Sequence, residues 1–335
     1  MIPNILMDEY NKITKLLNYN FKDKKFLITG ANGLIGSYLV DYLSFTGAKV
    51  YAMSRSIDKL KFRFNNQNIK LIEQDLNEPL KINNKFDYII HAASNAHPLA
   101  FSQDPVGTMK TNLFGTINLL EMSKNSNSKF LYLSSGEIYG NNIDHDFTED
   151  DLGVVDTKIT RSCYPESKRA AETLCVSYCD QFGIHTNIAR LCYVYGHTIT
   201  DDNSRADAQF LRNALLGKDI AMKSKGTQRR TYCYVADAVS ALLFILLNGV
   251  KSEVYNIANP HSIVTIAQYA QILANIANVN LKFELPDEIE QKGYSKQADS
   301  VLSAQKLINI GWKPLYDINV GLEHTFRIKK ESINA

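Results

Sequence analysis

Residues 25–36, KFLITGANGLIG, restrict the possible folds more than any other stretch of the chain. Lys25–Thr29 is a short apolar strand, and Leu34–Ser44 carries the pattern of an amphipathic helix. Between them Gly30, Gly33 and Gly36 fall at every third position. A strand passing through a glycine turn straight into a helix opens a βαβ unit. Gly30 permits the tight turn, Gly33 lets backbone approach a pyrophosphate, and Gly36 allows close packing of the helix. The helix N-terminus supplies N–H groups and the positive end of its dipole. The spacing is G-x-x-G-x-x-G rather than G-x-G-x-x-G, and its context predicts a dinucleotide cradle formed by Gly30, Asn32, Gly33, Leu34, Ile35 and Gly36.

Further strands are expected at Lys49–Met53, Lys70–Gln74, Tyr88–Ala92, Phe130–Ser134, Asn187–Leu191 and Val254–Ile257. Helices are expected near Thr108–Ser123, Pro165–Phe182, Ala208–Leu216 and Ile266–Ile276. This alternation predicts an α/β fold, a doubly wound parallel sheet of Rossmann type with a smaller mixed α/β C-terminal substrate domain. Val235–Leu247 is apolar all round and reads as a buried helix on the sheet. The expected division is interleaved: 1–190 plus 232–258 for the dinucleotide, 191–231 plus 259–335 for the substrate. Residues 1–22 are read as a helical extension, with Tyr10, Ile13, Leu16 and Leu17 on one face.

Thirty-seven basic and 35 acidic residues leave a formal charge of +2, with no polybasic run beside an aromatic sheet motif. Nucleic acid is therefore not an expected partner, and anionic ligands must be held by locally placed groups. The N-terminus lacks the apolar core of a signal peptide, and the longest apolar run, Ala238–Leu247, is too short to span a bilayer. The expectation is a soluble cytoplasmic protein. Cys163, Cys175, Cys179, Cys192 and Cys233 show no zinc or C-x-x-C spacing and are read as core thiols, with no metal. The Asn-rich patches at Asn65, Asn66 and Asn68 and at Asn83 and Asn84 read as polar loops, and His97, His145 and His197 as solvated loop histidines.

Which dinucleotide binds is left open between NAD and NADP. A carboxylate ending the second strand would bind the ribose hydroxyls of NAD. Here the strand ends in Ser54-Arg55, and Arg55 suits a 2′-phosphate. Asp75, followed by Leu76, stands after the third strand as an adenine contact or a helix cap; Ala92 and Ala93 end the fourth. Tyr164 and Lys168 lie four apart on one helical face. A cation there is expected to lower the phenol pKa toward neutrality, making Tyr164 a general base, while Lys168 also holds the nicotinamide ribose.

Taken together, GANGLIG, HAAS (His91–Ser94), SSGEIYG (Ser134–Gly140) and YPESK (Tyr164–Lys168) resemble the extended short-chain dehydrogenase/reductases of the NAD-dependent epimerase/dehydratase family, which act on nucleotide sugars. Within it the chain looks most similar to UDP-glucuronate decarboxylases, on Asp104–Leu120, Glu166–Cys175 and Gly226–Asp237. The resemblance implies a tightly bound NAD or NADP, a nucleotide-sugar substrate and a homodimer. It also implies roles by motif position. Ser135 hydrogen-bonds the reacting sugar oxygen, Glu137 is the carboxylate of 4,6-dehydratases and decarboxylases, and Arg230 reaches the sugar nucleotide. Asn112 steadies the active-site helix, and Ser94 and Gly136 border the substrate.

The implied chemistry is transient oxidation at sugar C4, Tyr164 taking the hydroxyl proton as hydride passes to the nicotinamide. In a glucuronate the resulting ketone is β to the carboxylate, so CO₂ leaves readily. Two positions depart from the family pattern. Gly136 stands where many dehydratases have an acid, and Ser54-Arg55 where NAD-using members generally have a carboxylate. The alternatives are a 4-epimerase, a 4,6-dehydratase or an NADPH-dependent 4-keto-sugar reductase. More remote is a non-catalytic dinucleotide-binding protein, a class that tends to lose the tyrosine–lysine pair kept here.

Overall fold

A computed structural model describes residues 3–64, 69–96, 98–140, 145–284 and 299–334. Asn65, Asn66, Asn68 and His97 lie outside the described residues. In chain order the elements of the first half are α1 (Asn4–Leu17), β1 (Lys25–Thr29), α2 (Leu34–Phe45), β2 (Lys49–Ser54), α3 (Ile57–Arg63), β3 (Ile69–Glu73), β4 (Tyr88–His91), α4 (Pro98–Gln103), α5 (Pro105–Ser126), β5 (Lys129–Ser135) and α6 (Cys163–Phe182). The second half adds β6 (Thr186–Leu191), β7 (Tyr193–Tyr195), α7 (Ala206–Leu215), β8 (Ile220–Met222), β9 (Arg229–Tyr234), α8 (Val235–Asn248) and β10 (Val254–Ile257). It closes with β11 (Ile263–Thr265), α9 (Ile266–Ala277), β12 (Leu281–Phe283), α10 (Gln305–Asn309) and α11 (Ile318–Asn334).

Seven strands form one parallel sheet in the order β10-β6-β5-β4-β1-β2-β3. The strand order reverses between β1 and β4, so their C-terminal ends open a crevice where ligands of doubly wound folds bind. The central strands are buried on both faces, as a sheet covered by helices requires: Phe26, Leu27 and Ile28 of β1 are fully inaccessible. Two smaller sheets, β11-β9-β7 and β12-β8, lie beyond the main one.

The apolar helix α8 is buried from Val235 to Leu246 and packs against α1, α2 and the sheet, as its sequence requires. Asp237 in its first turn accepts N–H bonds from Leu315 (2.6 Å) and Tyr316 (3.2 Å), tying the C-terminal segment to this helix. Trp312, fully buried, donates from its indole to Ser240 on the same helix at 3.0 Å.

The N-terminal helix buries Tyr10, Ile13 and Leu17 on the expected face. The same face carries Glu9, whose carboxylate is wholly buried. It accepts from the hydroxyls of Tyr38 (α2) and Tyr234 (β9) and from His324 Nδ1 (α11), each at 2.7 Å. A buried carboxylate is tolerated only when its lone pairs are satisfied, and these three donors come from three separate elements. Glu9→Ala leaves all three without their acceptor and should cost roughly 3 kcal/mol in denaturant unfolding. A loss within about 0.5 kcal/mol, the range of an ordinary surface change, would contradict the role assigned to Glu9.

Candidate active site

The crevice at the C-terminal ends of β1 and β4 widens into a cleft of about 1860 Å³, walled by the main sheet on one side and by β7, β9 and α7 on the other. The glycine turn forms one end. Gly30 adopts φ +64°, and a Cβ there would fall 2.8 Å from the carbonyl of Ala92 and from Ala93 Cα. A Cβ on Gly36 would overlap the Gly30 carbonyl oxygen, so only glycine lets the first turn of α2 sit on the strand end. α2 starts from Gly33, a cap with no side chain to accept from the first N–H groups, so those donors face the cleft with Asn32, Leu34 and Ile35. This arrangement fits a dinucleotide pyrophosphate.

The strand ends are fixed by a small buried network. Thr29 Oγ1 lies 2.9 Å from His91 Nδ1 and accepts from the Ala93 N–H at 3.2 Å, tying β1 to the end of β4. Ala92 lines the cleft. His91 is fully buried and its pKa is pushed down to about 3, first by burial and then by the Lys168 ammonium. Of the other expected cofactor residues, Arg55 is exposed on the cleft wall. Ser54 is turned onto its own loop, donating to the Ser56 carbonyl at 3.0 Å. Asp75 is exposed and accepts from the Asn77 N–H at 2.9 Å, while Leu76 is buried under Gly115.

Tyr164 and Lys168 occupy the first turns of α6 and face the end of β5. Tyr164 is buried beneath the ring of Phe101 (α4), centroids 5.3 Å apart and nearly parallel. The Ser135 side chain stands near enough to the phenol to pull its pKa down. Asn112 on α5 donates to Ser167 on α6 at 2.9 Å and accepts from Ser94 at 2.8 Å, joining the helix pair to the loop after β4. Glu137 follows in a 3-10 turn at Gly136–Tyr139, its N–H donating to Ser135 Oγ at 3.2 Å. Gly136 is packed against Leu302. Arg230 enters from β9, buried over the Tyr193 ring at 4.2 Å and close enough to Glu137 to feel its charge.

The electrostatic expectation for the phenol is reversed. Burial, and then the Glu137 carboxylate, hold the Tyr164 pKa well above its ordinary value. The downward pulls come from the Ser135 hydrogen bond and from Arg205 and Arg161. Lys168 Nζ lies 5.8 Å from the phenol ring centroid and donates to the Leu133 carbonyl at 2.7 Å. Burial brings Lys168 itself down to about 7, opposed by Glu172 one turn along. The sequence reading expected the Lys168 cation to lower the phenol; in a dry site desolvation outweighs the attractions on both groups.

Several residues that the sequence reading passed over complete the site. Arg161 donates to Glu137 Oε2 at 2.9 Å and lies over the Phe101 ring. Arg205 donates to the Val194 carbonyl at 2.8 Å and lines the cleft. Glu172 accepts from Ser134 Oγ (2.5 Å) and from two nitrogens of Arg190 (2.8 and 3.1 Å). Glu172 had a legible signal, standing four residues after Lys168 on the same face of α6. His197 corrects its reading: it is buried against Tyr38 on the cleft wall, and burial pushes its pKa down to about 3. His145 is exposed, 3.2 Å from Asp151. All five cysteines are free; Cys192 alone among them is only half-buried, and it lines the cleft. Among the described residues no cluster of metal-ligating side chains occurs, and no helix is long and apolar enough to cross a membrane.

Comparison with known proteins agrees with this geometry. The sequence pattern of the "NAD dependent epimerase/dehydratase family" matches residues 26–258. UDP-glucuronic acid decarboxylase 6 of Arabidopsis thaliana is 33% identical over 321 residues, 91% of this chain and 89% of that protein. UDP-glucuronic acid decarboxylase 1 of Danio rerio is 32% identical over 91% of this chain and 72% of its own length. In fold the chain is similar to UDP-glucose 4-epimerase of Thermotoga maritima, solved with UDP-glucose (TM-score 0.78, 24% identity, 92% of this chain and 99% of that one). It is also similar to dTDP-glucose 4,6-dehydratase of Bacillus anthracis, solved with NAD (TM-score 0.75, 21% identity, 92% and 97%).

The depressed Lys168 pKa has a thermodynamic consequence. Between its folded value near 7 and its unfolded value near 10.5 the unfolded chain binds the extra proton, so this group makes stability rise with pH across that window. Lys168→Met should remove the rise. Measured by denaturant unfolding from pH 7 to 9, the stability difference between wild type and variant should shift steadily in favour of wild type. Parallel curves would show that Lys168 titrates normally.

Proposed function

The chain belongs to the NAD-dependent epimerase/dehydratase family, and from that premise we propose that it oxidises a nucleotide sugar transiently at C4, with UDP-glucuronate as substrate and loss of CO₂ as outcome. The glycine turn would hold a nicotinamide cofactor, NAD or NADP, which would supply reversible hydride transfer at C4 with no net consumption. Segments 1–190 and 232–258 then serve the cofactor, and 191–231 and 259–335 the sugar nucleotide.

The observation that carries this reading is the set of groups around one point at the end of β5. The Tyr164 phenol stands near enough to Ser135 for that hydroxyl to pull its pKa down, and Glu137 lies beside them with Arg161 at 2.9 Å and Arg230 within charge range. Ser135 and Tyr164 suit a sugar hydroxyl that must lose its proton as the C–H bond breaks. Loss of the hydride and that proton makes the 4-ketone. The C5–C6 bond of the β-keto acid then breaks, its electron pair entering the C4 enolate as CO₂ departs. Protonation at C5, return of the hydride to C4 and return of the Tyr164 proton to the C4 oxygen leave a UDP-pentose. Arg161, paired with Glu137, and Arg230 both line the cleft near this point, and positive charge there would suit a uronate carboxylate. Gly136, packed on Leu302, offers no acid for a departing 6-hydroxyl, which weakens the 4,6-dehydratase reading.

Exposed Val106, Met109 and Phe114 on α5 and Val176 and Phe182 on α6 support a second copy packed on this helix pair.

Incubation with UDP-glucuronate should release CO₂ and yield a UDP-pentose by NMR without stoichiometric change in the cofactor. Tyr164→Phe should lower kcat by roughly 10²-fold or more. Failure to release CO₂ overturns the decarboxylase assignment. A 4-epimer from UDP-glucose, a 4-keto-6-deoxy product from dTDP-glucose, or stoichiometric NADPH oxidation would identify the alternative.

A further inference from the structure

We propose that Phe101 on α4 is a positioning residue for Tyr164. Its ring backs the phenol on the side away from the cleft, fixing the angle at which the phenol faces Ser135 and closing that side to water. The inference rests on Tyr164 being the base of the proposed oxidation, and it holds for whichever sugar is processed.

The sequence between β4 and α5 places this ring. Asp104-Pro105 ends α4: a residue before proline is driven out of helical geometry, and the Asp104 carboxylate caps α5 by accepting from the Gly107 N–H at 2.9 Å. The short helix Pro98–Gln103 is fastened separately. The Leu99 N–H donates to Ser204 Oγ at 3.3 Å, on the segment that leads into α7 across the cleft. The Cys163 thiol, at the start of α6, donates to the Phe101 carbonyl at 3.8 Å. α4 is therefore tied both to the opposite wall and to the helix that carries Tyr164.

Phe101, Cys163 and Tyr164 form a small buried apolar cluster separate from the two larger cores. On this side the phenol thus takes its apolar cover from α4 rather than from the body of the sheet. The two rings lie 5.3 Å apart at 26°, an offset stack. Phe101 is 3% exposed, and the half-exposed Arg161 lies over it, its guanidinium 5.0 Å from the ring centroid. Tyr164 borders the cleft, as do Pro98 and Arg161, whereas Phe101 does not. Phe101 reaches the reacting point only through the phenol.

Burial is the first cause of the raised phenol pKa. The titratable groups around Tyr164 come from other elements: Tyr132 on β5, Glu137 in the turn after it, Arg161 before α6, Cys163 and Lys168 on α6, and Arg205 before α7. α4 reads PLAFSQ and carries no charge. Opening the Phe101 side should therefore lower the phenol toward its ordinary value of about 10. Displacing Arg161 alone would raise it.

The test compares wild type with Phe101→Ala and Phe101→Leu. Protein labelled with carbon-13 at tyrosine Cζ is titrated by NMR, the Tyr164 signal being assigned by its loss in Tyr164→Phe. Wild type should keep Tyr164 protonated to about pH 10.5, and Phe101→Ala should bring its midpoint to about 10 or below. In turnover, Phe101→Ala should lower kcat roughly 10- to 100-fold with KM changed less than about threefold, and the rising limb of its pH profile should move to lower pH. Phe101→Leu keeps the apolar cover without the flat ring, so it should leave the titration unmoved and lower kcat severalfold. The same Tyr164 titration in wild type and Phe101→Ala would overturn the proposal, as would wild-type kcat in Phe101→Leu. Lost activity with an unmoved pH limb would also overturn it, being the mark of a merely structural role. The NMR titration needs no turnover, so it decides the matter even if UDP-glucuronate releases no CO₂.

Discussion

The buried ion pair between Glu172 on α6 and Arg190 on β6 is the constraint on which the reacting centre depends. Glu172 also accepts from Ser134, the residue before the catalytic-motif serine, so one carboxylate fixes the helix, the neighbouring strand and the end of β5. Arg190 extends the network to the Tyr139 hydroxyl (2.9 Å), which donates to Asn256 on β10 (2.7 Å). Both charges are about nine-tenths buried, and such a pair gives little net stability but is costly to break. Its effect is positional. It sets the height of α6 over the sheet, and hence where Tyr164 and Lys168 meet Ser135.

Burial gives that meeting place its chemical character. A phenol and an amine in water would both be protonated at neutral pH; here desolvation raises the first and lowers the second to about 7. The phenol is thus held as a neutral donor, and releasing its proton requires positive charge brought close. Arg161, Arg205 and the Ser135 hydroxyl supply part of that pull from the protein.

Much of this was legible in the sequence because the main elements are long or strongly periodic. Val254–Ile257 was bounded to the residue, and the glycine turn, the Tyr164–Lys168 spacing and the buried α8 were all readable. The short elements were not. β7, β8, β11 and β12 have three residues each, too few to show a period of two, and α3 and α4 are under three turns. β9 was read as a motif rather than a strand because Arg229 and Arg230 interrupt its apolar pattern. The amphipathic α11 went unassigned. Arg161 and Arg205 gave no signal, since an arginine in a loop is ordinarily solvated, and only tertiary packing places them beside the phenol. The same packing buries Glu9, and it buries His197, which read as a solvated loop residue. Charge and aromatic side chains meeting from distant segments are what a one-dimensional pattern carries least.

The most direct test of transient oxidation at C4 is a rapid-mixing experiment with UDP-glucuronate and the cofactor-loaded protein, following the near-ultraviolet absorbance of reduced nicotinamide. Transient oxidation predicts that the signal rises and then falls back to its starting value as CO₂ appears, and that deuterium at C4 slows the rise. CO₂ release with no transient and no isotope effect would contradict it.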